Sequence, residues 1–166
     1  RRIVRAARTH SNERDALQLA DAALARLTAM GQATPDDYLC CVRDGWYWGM
    51  DVQCPATAAL VGMGSRGRDA ACAIAAQSSP GAAGHDGRSQ ALWILAQFKG
   101  DAKAISAIIQ SAIADDGESR ESDALIQQGP AALAPLRKAL TDPSLTAHSR
   151  EALELAMRRI ESAKHP

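Results

Sequence analysis

The chain has 166 residues, 46% of them hydrophobic but only 4% aromatic, and its nineteen basic and nineteen acidic side chains cancel. That length fits one domain with a core of its own, and the balanced charge leaves no global field to draw in nucleic acid or an anionic membrane. No apolar run approaches the roughly 20 residues that span a bilayer.

Alanine supplies much of the hydrophobic content, and alanine has the best helix propensity and lets backbones approach closely. Valine and isoleucine are sparse and rarely alternate with polar residues, so the strand signal is weak throughout. The fold class expected is all-α. No signal-peptide core is visible. The first residues are Arg1-Arg2 rather than methionine, which reads as a processed or trimmed product whose targeting segment has gone.

In chain order, SNERDALQLADAALARLTAMG from Ser11 reads as an amphipathic helix. Ser11 or Asn12 can cap it, Leu17, Leu24 and Leu27 lie near one stripe, and Gly31 closes it. Thr34-Pro35-Asp36-Asp37 has the chemistry of a second helix start, with proline in the first turn and acids at the positive dipole end. That short helix, DDYLCCVRD, stops near Gly45 and leads into the aromatic loop WYWG. Pro55 opens another short helix, and Gly62, Gly64 and Gly67 break the chain before RDAACAIAAQ forms the next. SSPGAAGHDG, residues 78–87, reads as an ordinary connection, lacking both the P-loop ending and dinucleotide-site glycine spacing. Five further helices follow: SQALWILAQFKGD, AKAISAIIQSAIADDG, SRESDALIQQG, PAALAPLRKALTDP and LTAHSREALELAMRRIES.

The segment CCVRDGWYWGMDVQC gathers three of the four cysteines and three of the six aromatic residues into positions 40–54. Cys40, Cys41, Cys54 and Cys72 fit two disulfides in an exported protein, with Cys54 and Cys72 expected to bond to members of the Cys40-Cys41 pair. Free buried thiols and a metal site are the alternatives, although no Cys-x-x-Cys pair or paired histidine supports zinc. Trp46, Tyr47 and Trp48 cannot all point the same way from one loop. Any left exposed between Asp44 and Asp51 would act as an interface anchor, and the rest would close the core.

Charge is uneven along the chain. Residues 1–34 carry six arginines against three acids, residues 35–54 four aspartates against Arg43, and residues 115–123 five acids against Arg120. Such patches can orient a protein partner, although a solvated helix end is the commoner explanation for them.

Ser-x-Ala-Leu at 89–92 recurs at 122–125, and Ala-Leu returns at 152–153, a period near 30 residues with a helix pair in each unit. In GPAALAPLRKALTD the positions Leu133, Leu136, Leu140 and Asp142 have an equivalent one unit earlier at Ile105, Ile109, Ile113 and Asp115. This second half resembles HEAT repeats, especially the short bacterial kind related to phycobilisome-lyase repeats, over 88–162 and more loosely 55–77. The resemblance implies a right-handed α-solenoid of antiparallel helix pairs over 55–162, with 1–54 as a divergent N-terminal cap. Leu92, Leu95, Ile105, Ile109, Leu125, Leu133, Leu136, Leu140, Leu153 and Ile160 are then expected to line one continuous core.

Chemistry is thinly represented. His10, His85, His148 and His165 fall in loops or at termini, and no nucleophile elbow, zincin or deaminase motif occurs. Cys40 and Cys41 lie among aspartates, which raise a thiol's pKa and oppose a reactive thiolate. No enzyme, cofactor or metal is expected, and the function expected is non-catalytic binding of another protein in a bacterial, periplasmic or otherwise exported setting, with a cytoplasmic one as the alternative. An immunity or inhibitor protein capping a secreted toxin is one concrete role in that class. The alternative implied by the resemblance is a nucleic-acid-binding or repair module, since some HEAT-like bacterial proteins are DNA glycosylases.

Overall fold

The computed structural model describes residues 14–35, 37, 55–76, 82–114 and 119–163. Among them there is no strand, and the fold is all-α, as alanine-rich, non-alternating sequence requires. The helices are α1 (Arg14–Ala29), α2 (Pro55–Gly62), α3 (Ser65–Ala75), α4 (Ala82–Gln97), α5 (Ala102–Ala114), α6 (Ser119–Gln128), α7 (Leu133–Ala139) and α8 (Ala147–Ser162), with a 3-10 turn at Gly129–Ala132.

Helices α5 and α8 each bury the stripe that their periodicity dictates. On α5 the buried positions include Ile105, Ile108, Ile109 and Ala112, and on α8 they include Ser149, Ala152, Leu153, Ala156 and Ile160. These are i, i+3, i+4 and i+7 spacings, which share one helix face. One cluster runs from Leu24 on α1 through α2–α8 to Ile160. Nine of the ten core positions expected from the sequence are buried in it, and the tenth, Leu140, packs against it half-buried. Fully burying a leucine contributes about 1.5–3 kcal/mol, so this cluster holds the fold together.

From α2 to α8 each helix packs on its chain neighbour, α6 meeting α7 through the intervening 3-10 turn, and also on the next but one: α2 on α4, α3 on α5, α4 on α6, α5 on α7 and α6 on α8. Polar links follow the same interval. The Arg68 guanidinium bonds Asp101 33 residues away, Arg120 bonds the Ser89 hydroxyl 31 away, and the Ser122 hydroxyl donates to the Ala152 carbonyl 30 away. Buried Gln128 makes two such links. Its amide nitrogen donates to the Leu95 carbonyl at 2.9 Å, and its oxygen accepts the Gly100 N–H at 2.9 Å. Gly100 (φ 74°) and Gly129 (φ 63°) both follow helices in the left-handed conformation that terminates them, where glycine has no Cβ penalty.

The structure corrects the element boundaries in three places. Gly67 does not break the chain. It lies inside α3, where a Cβ would overlap the Leu60 carbonyl oxygen, so it is the residue that lets α2 and α3 backbones meet. The glycine-containing stretch from Ala82 belongs to α4, whose packing along α3 and α6 offsets the roughly 1 kcal/mol that each helical glycine costs. The helix expected from Pro130 begins as a 3-10 turn, with α7 starting at Leu133. Pro135 explains this: it offers no N–H to the Ala131 carbonyl and its ring crowds that oxygen, so the α-helix can start only just before it.

Expectations for the N-terminal region are met only where residues are described. Gly31 follows α1, and the Asp37 carboxylate accepts from both the backbone N–H (2.8 Å) and hydroxyl (2.7 Å) of Thr34. This is the reciprocal half of a capping box, the N-cap chemistry expected at Thr34; the rest of DDYLCCVRD lies outside the described residues. No helix among the described residues is long and apolar enough to cross a membrane.

Candidate functional site

Where α3 and α5 run side by side, most of the side chains between them are small, and a recess of about 500 Å³ remains there. Cys72, Ala75 and Ala76 of α3 form one wall. On α5, Lys103, Ser106, Gln110 and Ala114 recur at three- and four-residue spacing opposite the buried Ile105–Ile109 face, with Ala107 and Ser111 at the floor. Larger side chains at Ala75 or Ala107 would fill this space. The recess therefore follows from alanine, serine and cysteine standing where a core-facing helix would carry leucine.

A balanced group of four charges closes one end. The Arg68 guanidinium reaches Asp101 (Nη1 to Oδ2 2.6 Å) and Asp69 (Nη2 to Oδ1 2.8 Å), and the Lys103 ammonium reaches Asp69 at 3.0 Å. Asp101 also caps α5, its Oδ1 accepting the N–H groups of Ala104 (3.0 Å) and Lys103 (2.9 Å). The Ala104 N–H, with the Arg68 guanidinium beside it, holds the Asp101 carboxyl below the usual carboxylate range. Hydrogen bonds from Arg68 and then Lys103 do the same for Asp69. Lys103 thus presents a cation at the mouth whose charge is already partly compensated.

Behind the floor, the Ser111 hydroxyl donates to Oε1 of Glu121 at 3.2 Å, and Glu121 is only 2% exposed. This pair ties α5 to α6 and gives the recess one polar point of depth. Cys72 is half-buried, and burial pushes its thiol pKa up, which makes it a poor nucleophile at neutral pH. The recess offers carbon surface with one hydroxyl row, one amide and one ammonium.

Of the residues singled out in the sequence, only Cys72 falls here. Its thiol is free, so the expected bond to Cys40 or Cys41 is not formed; on α3 it faces Lys103 and the α5 wall. Cys40, Cys41, Cys54, Trp46, Tyr47, Trp48, Asp44 and Asp51 lie outside the described residues. Ser106 and Gln110 escape a reading of the sequence because polar positions opposite an isoleucine stripe look like solvated surface. The available signal is the small size of Ser106 and of Ala107 and Ala114 beside it. Among the described residues no group of three or more His, Cys, Asp or Glu side chains is placed to hold a metal ion.

Compared with known proteins, the chain matches no protein-family model, no curated protein and no solved structure. The class defined by the fold is an all-helical protein with an open groove between two adjacent elements of its helix array. The resemblance to HEAT repeats rests on the residues of this chain alone.

Proposed function

We propose that the protein is a non-catalytic binding module, a HEAT-like right-handed solenoid whose recess between α3 and α5 holds a segment of another protein. The solenoid reading is supported by packing on next and next-but-one helices, and by polar links spanning 28–33 residues, close to the sequence period. The observation that carries the binding reading is the recess itself, kept open by small side chains along two adjacent helices. Within this class an immunity or inhibitor role is the concrete instance. An exported setting rests on the cysteines, and a free Cys72 lends it no support.

The test is site-specific photo-cross-linking in cells that make the protein. A benzophenone side chain at Ser106 or Gln110 should capture one discrete protein, and Ala107→Trp in the same chain should abolish capture. Equal capture from a probe at Glu151, on the exposed surface of α8, would remove the recess as the binding site.

One observation favours the nucleic-acid alternative. Helices α3, α5 and α7 together carry Arg66, Arg68, Lys103, Arg137 and Lys138 against the single acid Asp69. Buried Glu121 stands one hydrogen bond behind the recess. Yet Arg68 and Lys103 are tied to Asp69 and Asp101, and Arg137 to Glu161 at 2.7 Å, so most of that charge is spent within the fold. Fluorescence anisotropy with a labelled duplex separates the readings. Affinity that falls steeply with salt would favour nucleic acid, and no binding at low salt would remove it.

A further inference from the structure

We draw no further inference here: the strongest candidate, the recess between α3 and α5 walled by Cys72, Ser106 and Gln110, belongs to the site already described, and nothing in the structure shows what covers it.

Discussion

Arg68 on α3 and Asp101 at the head of α5 meet at 2.6 Å across 33 residues of chain, and the same carboxylate caps α5 through Lys103 and Ala104 N–H groups. One side chain therefore starts α5 and fastens it to α3.

Replacing Asp101 with alanine should cost about 1 kcal/mol, the usual loss for a helix N-cap. The Asp101 carboxyl titrates lower in the folded chain than in the unfolded one. Its contribution is therefore complete above the unfolded value near pH 4 and disappears as pH falls through the folded value. Melting temperatures followed from pH 7 to pH 2 should drop in the parent protein and drop less in Asp101→Asn. Parallel curves would mean that Asp101 takes no part in acid sensitivity.

Gly67→Ala should be severely destabilising, because the new methyl collides with backbone rather than with a movable side chain. Overpacking typically costs 1–3 kcal/mol, and a rigid obstacle places this change at about 3 kcal/mol or beyond. Gly62→Ala is the control, since nothing lies within 4 Å of a Cβ there. Urea midpoints should separate the two variants clearly, and equal midpoints would contradict the close approach of α2 and α3.

Gln128→Ala should cost roughly 1–3 kcal/mol by leaving the Gly100 N–H without its acceptor. Hydrogen exchange gives the specific readout. The Gly100 amide should lose protection in the variant under conditions where Ile108 and Leu153 keep theirs. Unchanged exchange at Gly100 would show that water replaces the Gln128 oxygen without penalty.

Cys72 should react with iodoacetamide more slowly in the native protein than a free cysteine does, since its raised pKa leaves less thiolate near neutral pH. After unfolding without reductant it should alkylate fully, as a free thiol does. Peptide mapping that instead finds Cys72 joined to Cys40, Cys41 or Cys54 would restore the staple expected from the sequence.

Apolar spacing is legible in the sequence, because a stripe such as Ile105–Ile109 or Leu133–Leu136 needs a partner wherever the helix lies. Leu136, fully buried, is the clearest case. What the spacing cannot reveal is the distance between two backbones: Gly67 reads as a breaker until Leu60 is placed beside it. Pro135 is hidden for a related reason, since its effect falls four residues upstream on Ala131. The recess is illegible because absence of bulk on α3 matters only once α5 is known to run alongside. Ser111 likewise reads as solvated until Glu121 is found behind it.

Linking each helix only to near neighbours also sets how quickly the chain can organise. Loop-closure entropy grows with the logarithm of loop length, and every doubling adds about 0.6 kcal/mol. Hydrogen bonds such as Arg68–Asp101 and Arg137–Glu161 close loops of 24 to 33 residues, so among the described residues these links join no very distant parts of the chain. Helical proteins with such local topology refold in about microseconds to milliseconds. A stopped-flow refolding phase lasting seconds would point to a slow step such as proline isomerisation.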